Sequence, residues 1–167
     1  MELQEASEKF IQSWAQLGTN WGINKTMAQI HALLLISKSS MSTEEMMDKL
    51  QISRGNTNMN VRALIDWGLV YREHKLGERM EFFRAEKDIS KVARCIARER
   101  RKREIEPVIS LMAELSNAKL GSSDDAKEFT KVSKDIHEFS STIDGFLDKF
   151  SRSDENWFYA LMLKLMK

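Results

Sequence analysis

Apolar side chains recur every third or fourth residue from the first positions of the chain: Leu3, Ala6, Phe10, Trp14 and Leu17 share one face of a 3.6-residue helix. Gly18 and Gly22 end that pattern. Asn24 stands where an N-cap belongs, and from Lys25 to Ser37 the residues Met27, Ile30, Leu33, Leu34 and Ile36 are dense enough to predict a helix buried on most sides. Ser42-Thr43-Glu44-Glu45 has the form of a capping box, in which hydroxyl and carboxylate each satisfy the other residue's backbone N–H. Met46, Met47 and Leu50 then predict a short amphipathic helix. Gln51, Ile52 and Ser53 separate it from a further helix, Ser53 to about Trp67, with Val61, Leu64 and Ile65 toward the core.

After Gly68 the period changes. Leu69, Val70 and Tyr71, a polar run with Gly77 at its tip, and then Met80, Phe82 and Phe83 predict a two-stranded hairpin ending before Asp88. A long charged helix through Val92, Ile96 and Ile105 follows, and Pro107 is expected to kink it or to begin a new helix at Val108. Gly121-Ser122-Ser123-Asp124 reads as a loop ending in a cap. Beyond it Phe129, Val132, Ile136, Phe139, Ile143, Phe146 and Phe150 alternate steps of three and four, a seam suited to helix packing within this chain or between two chains. A last amphipathic stretch, residues 154–167, carries Trp157, Phe158, Leu161 and Leu165.

Composition supports the helical reading: among 167 residues there are ten Met, one Pro and seven Gly, with 42% hydrophobic and 31% charged residues, which excludes a disordered or all-β chain. The lone Cys95 makes no intrachain disulfide, and no Cys/His pair has zinc-ligand spacing, so no metal is expected. No nucleophile elbow, phosphate-binding loop or zinc-protease motif is found, and the expectation is a non-enzyme without cofactor. The first ten residues lack the basic and apolar regions of a secretory signal, and no apolar run approaches the roughly 20 residues of a membrane span. A cytoplasmic protein with no membrane partner is expected. The net charge of +1 conceals an asymmetry: residues 41–104 hold 15 Lys and Arg against 11 acids, residues 105–167 hold 8 against 11. The basic middle suits phosphate binding.

The order of helices, tight turn, helix, hairpin and long helix is that of a winged helix-turn-helix. The fold expected is mainly α, with a two-stranded β wing and additional N- and C-terminal dimerisation helices. It divides into N-terminal helices (1–40), a DNA-binding module (41–87), and a linker helix with C-terminal dimerisation helices (88–167). In such a module the second helix enters the major groove. Arg54 and Arg62 can donate to guanine or phosphate, and Asn56, Asn58 and Asn60 can both donate and accept at adenine edges. Three Asn within five helical positions lower helix propensity, which calls for a reason beyond folding. In the wing, Arg72, Lys75 and Arg79 surround Gly77 and would touch phosphate or minor groove; as ordinary edge-strand charges they would instead block aggregation. The competing class is a winged-helix protein-interaction module that never meets nucleic acid.

The run Ile52-Ser53-Arg54-Gly55-Asn56, Asn58-Met59-Asn60 and Arg62 through Val70, continued by Gly77-Glu78-Arg79, Phe82 through Asp88 and Arg100 to Pro107, resembles the GbsR-type branch of the MarR-like transcriptional regulators. The resemblance covers about 65 residues closely, and the flanking helices agree in order and length. It implies a cytoplasmic homodimer on pseudo-palindromic double-stranded DNA, most simply a repressor, with terminal helices as the interface. Leu3, Phe10 and Trp14, with the Phe129–Phe150 seam or the Trp157–Leu165 face, are the interface expected. The wing departs from the broader pattern, since Glu73, His74 and Lys75 stand where an acidic-x-Arg signature is common. Some members of the branch sense choline or related osmolytes. A quaternary ammonium effector would require an aromatic cage, for which Trp14, Trp21, Trp67 and Trp157 are candidates beside their ordinary role as core residues.

Overall fold

The computed structural model describes residues 1–20 and 22–152; Trp21 and the stretch carrying Trp157 lie outside the described residues. The chain forms two compact units, Met1–Val92 and Ala93 onward.

In the first unit, α1 (Leu3–Asn20) packs on α2 (Lys25–Ile36), then come β1 (Met41–Ser42), α3 (Thr43–Leu50), α4 (Arg54–Asp66), β2 (Val70–Glu73), β3 (Phe82–Ala85) and the start of α5 (Ile89–Arg100). The expected caps are present: Asn24 accepts from the backbone N–H of Thr26 (2.8 Å) and Met27 (3.2 Å). Ser42 accepts from Glu45 N–H (3.2 Å), while the Glu45 carboxylate accepts from Ser42 N–H (2.7 Å). α2 is the centre of the core, with Met27, Ala28, Ile30, His31, Ala32, Leu33 and Leu34 all buried. Met46 from α3, Leu64 from α4 and Val70 from β2 close around it. α1 comes close enough that a Cβ on Gly18 would lie 2.8 Å from Ala28 Cβ, so this position takes glycine for want of room.

The sheet has three antiparallel strands rather than the two expected, in the order β1-β3-β2. The added strand is the two residues before the α3 cap, Met41 opposite Phe83 and Ser42 opposite Phe82. Two residues carry no period-2 signal, so alternation cannot show such a strand; pairing with β3 creates it. β2 and β3 pair from Val70 opposite Ala85 to Glu73 opposite Phe82.

In the second unit, α5 leads through a π-helical turn (Arg101–Ile105) into α6 (Glu106–Ser116), and α7 (Asp124–Arg152) folds back on α6. Pro107 sits in the first turn of α6, where its missing N–H costs least. The wider turn before it lets Glu106 N–H reach Arg101 C=O. Here the Phe129–Phe150 seam does not form a core. The side of α7 turned to α6 and the π-helical turn carries Thr130, Ser133, His137, Ser140 and Asp144, with Arg101 donating to Asp144 at 2.6 and 3.0 Å. Among the described residues of this unit only Ser133 and Ser140 are buried.

Candidate nucleic-acid interface

α3 and α4 are joined at Gln51, whose left-handed backbone (φ 53°) turns the chain sharply, and the Ser53 hydroxyl caps α4 by accepting from Asn56 N–H. Thr57, Asn60, Val61 and Leu64 fix the rotation of α4 by burial, leaving Arg54, Gly55, Asn58, Met59, Arg62 and Asp66 open to solvent. These form one continuous strip at helical spacing, with Ala63 half-buried at its edge.

The structure differs from the sequence expectation at two of the three asparagines. Asn60 is only 3% exposed, and its amide donates at 2.8 Å to both the carbonyl and the side-chain oxygen of Asn56. Asn56 is half-buried and donates to the Thr26 hydroxyl at 3.3 Å. A chain Thr26–Asn56–Asn60 therefore ties the start of α2 to α4, and these amides satisfy each other in place of water. That is the reason beyond exposed chemistry for two low-propensity residues in a helix. Asn58 alone of the three faces outward, beside the Thr43 hydroxyl at 3.5 Å.

The cations divide by what already holds them. Arg54 reaches back to Glu44 on α3 at 3.1 Å, an exposed pair that a phosphate can replace with little loss. Arg72 lies 3.6 Å from Glu81, and the Lys75 ammonium sits 3.8 Å over the Phe82 ring. Arg62 and Arg79 are exposed and have no acidic partner among the described residues. At the wing tip Gly77 adopts φ +85°, and Leu76 beside it is fully exposed. The sequence gives no sign that Glu44 and Glu81 border the recess between α3 and the wing with Arg54 and Asn58. Their partners are Arg54 and Arg72, ten and nine residues away in sequence, which neither helical period nor capping chemistry announces.

Two devices hold this surface. The Lys87 ammonium donates to the carbonyls of Leu34, Leu35 and Ser37 at 2.6–2.8 Å, closing the C-terminus of α2 and anchoring the strand that leaves the wing. The Glu86 carboxylate is held below its ordinary pKa chiefly by the Asp88 N–H, with Tyr71 hydroxyl, Lys91 and Lys87 N–H adding to it. Behind the surface, Trp14 stacks on Phe10 and donates from its indole N–H to His31 Nδ1 at 3.2 Å. Burial, then the nearby Lys87 charge, pushes His31 down to about 4. Trp67 is buried at the C-terminal end of α4.

An exposed helix strip on the second helix of a helix-turn-helix, backed by a β wing, defines a winged helix-turn-helix. The model of the MarR family matches residues 21–79, from the loop before α2 to the wing tip. A solved structure described as "Crystal Structure of a transcriptional regulator" has the same fold, with TM-score 0.66 at 17% identity over 88% of this chain and 97% of that one. None of the curated proteins compared with the chain matches it. No helix among the described residues is long and apolar enough to cross a membrane.

Proposed function

We propose that this protein is a sequence-specific DNA-binding transcriptional regulator of the GbsR-type branch, acting as a homodimeric repressor on a pseudo-palindromic operator. The observation that carries the reading is the strip Arg54, Asn58 and Arg62 on the open face of α4, positioned by a buried α2 and flanked by Arg79 on the wing. Arg62 has the fork that guanine O6 and N7 accept, Asn58 the paired donor and acceptor that adenine presents, and Gly55 and Ala63 keep the helix surface low enough to enter a groove. Arg54, Arg72, Lys75 and Arg79 supply backbone contacts once phosphate displaces Glu44 or Glu81. Two copies give the specificity that one recognition helix lacks, with half-sites about 34 Å apart.

The test is a mobility shift on selected operator and on random DNA across a salt series. Arg62→Ala and Asn58→Ala should each cost about 1–3 kcal/mol on the operator and little on random DNA. Arg79→Ala should weaken both alike and lower the salt slope by roughly one unit. Absence of retardation at low salt would favour the protein-interaction module. A reporter driven from the operator should lose repression with Arg62→Ala. Ligand control would act through the α1–α2 contact that Trp14 and His31 form, and is tested by titrating choline and glycine betaine against tryptophan emission and operator affinity together.

A further inference from the structure

Beside the row Arg54, Asn58 and Arg62 on the open face of α4 runs a second row at the same four-residue spacing, Gly55, Met59 and Ala63. The two rows differ in chemistry. The first is long and hydrogen-bonding, whereas the second is small at both ends and apolar at its middle. Met59 is 60% exposed, while Val61 and Leu64 of the same helix are 2% and 1% exposed. Burial therefore gives no reason for a large apolar residue at position 59. It gives none for glycine at position 55 either: among the described residues a Cβ there would meet no atom within 4 Å, and the Gly55 backbone is not left-handed. Glycine within a helix is unfavourable, so the low ground beside Met59 belongs to the surface and not to the needs of folding. The result is a shallow recess lined by Gly55, Asn58, Met59, Arg62, Ala63 and Asp66, in which the Met59 side chain is the large apolar part.

We propose that Met59 is a specificity-determining residue that reads the 5-methyl group of a thymine in the major groove. This rests on the DNA-binding reading above and deepens it by naming a base. A single exposed apolar side chain is ordinary on a protein surface. At the centre of a strip that enters a groove it is not, because closing the groove strips water from whatever base edge it meets. Each base pair presents hydrogen-bonding groups along that edge, and only thymine adds an apolar one, its methyl. Against a cytosine amino group or a guanine O6, Met59 would displace water and offer only a thioether, a weak acceptor, in return. Against the methyl both surfaces gain by losing water. The unbranched, polarizable methionine side chain can follow that methyl while Gly55 and Ala63 leave the helix backbone room to approach. Asn58, the preceding residue, carries the paired donor and acceptor that adenine requires, so the two side chains together suit adenine·thymine pairs. Such discrimination works by exclusion as well as attraction, since a guanine·cytosine pair at the same place loses its water and finds no partner.

The probe is a duplex operator selected by the protein from random DNA, and the readout is affinity by mobility shift. Each half-site should hold at least one invariant thymine whose replacement by deoxyuridine weakens the wild type roughly three- to fivefold, about what burial of one methyl group is worth. Deoxyuridine keeps every hydrogen-bonding group of thymine and removes only the methyl. Met59→Ala should bind the thymine duplex as weakly as the wild type binds the deoxyuridine duplex, and should not distinguish the two. Met59→Leu should keep the distinction and Met59→Gln should lose it. The inference is overturned if Met59→Ala still prefers thymine to deoxyuridine by the wild-type ratio, which would place the methyl contact elsewhere, at Ala63 first. It is overturned equally if the wild type is indifferent to deoxyuridine at every invariant thymine, or binds 5-methylcytosine·guanine there as tightly as thymine·adenine. In all these cases DNA is still bound, so only the role of Met59 falls. Failure to retard any duplex at low salt is a separate result that removes the DNA-binding reading, and this inference with it.

Discussion

The two units of this chain use apolar residues in opposite ways. Every buried apolar side chain among the described residues lies between Ala15 and Val92, gathered around α2, whereas from Ala93 to Arg152 the buried residues are two serines. Yet the second unit is not short of apolar residues: α6 and α7 carry Val108, Leu111, Phe129, Ile136 and Phe139, all substantially exposed. A unit that buries its apolar side chains is stable through its own interior. One that presents them in a row leaves that source of stability unused within the described residues, and a partner that covered the row would link its folding to concentration. The first arrangement suits a surface that must hold Arg54, Asn58 and Arg62 at fixed spacing; the second suits an assembly element.

The largest expected effects fall on the core side of this contrast. Leu64→Ala should cost about 2–5 kcal/mol in chemical denaturation, as a large-to-small change in a close-packed interior does, and should do so at any protein concentration. Val132→Ala, by contrast, should cost less than about 1 kcal/mol in dilute protein and more as concentration rises. A concentration-independent loss of several kcal/mol at Val132 would show that the seam is an intrachain core and erase the contrast.

A second effect of similar size belongs to pH. His31 is 3% exposed, accepts the Trp14 N–H, and leaves its Nε2 without a partner, so the folded state holds it neutral with a pKa of about 4 against an ordinary 6.5. The unfolded chain binds the proton more readily, so stability is complete above about pH 6.5 and falls as pH drops toward 4, by up to about 3 kcal/mol. Denaturation at intervals from pH 7 to 4.5 should show this slope, and His31→Leu should remove most of it. A slope unchanged in His31→Leu would assign acid sensitivity to other groups, Glu86 among them, whose carboxylate is lost from its N–H cradle only at lower pH.

The asparagines of α4 mark where the sequence could be read and where it could not. The position of α4 and the burial of Val61 and Leu64 follow from period, which is local. Which asparagine faces outward does not, because Asn60 is buried with Thr57 and Asn56 is engaged by Thr26, thirty residues upstream. The sharing of the Asn60 amide between two oxygens of Asn56 is likewise invisible to a helical wheel drawn from apolar positions alone. The same limit applies to α7: its period announces that a face will be covered, while the choice between α6 and a second chain depends on the small-residue side that packs first. Asn60→Ala should therefore cost about 1–3 kcal/mol of stability by removing a buried amide from the half-buried Asn56 oxygens, whereas Asn58→Ala should be nearly neutral in the free protein. Equal stability losses at the two positions would contradict the inward and outward assignments.

The smallest effect tests the polar side of the second unit. Arg101 is about a fifth exposed and sits bidentate on Asp144, with Asp148 at 3.0 Å and Glu106 at 3.6 Å, and its charge is favoured chiefly by the Asp144 hydrogen bonds. Lysine keeps the charge but cannot match the two carboxylate oxygens with a planar fork. Solvent reaches the group, so Arg101→Lys should cost only about 1 kcal/mol or less, with half of it or more recovered at high salt if attraction rather than geometry is at stake. Arg101→Met should lose the charge as well and leave the three acids Asp144, Asp148 and Glu106 without their shared cation. If Lys and Met are equally destabilising and salt changes neither, the fork geometry sets the register of α7 against the turn. If Lys is silent and Met is not, charge alone holds that side.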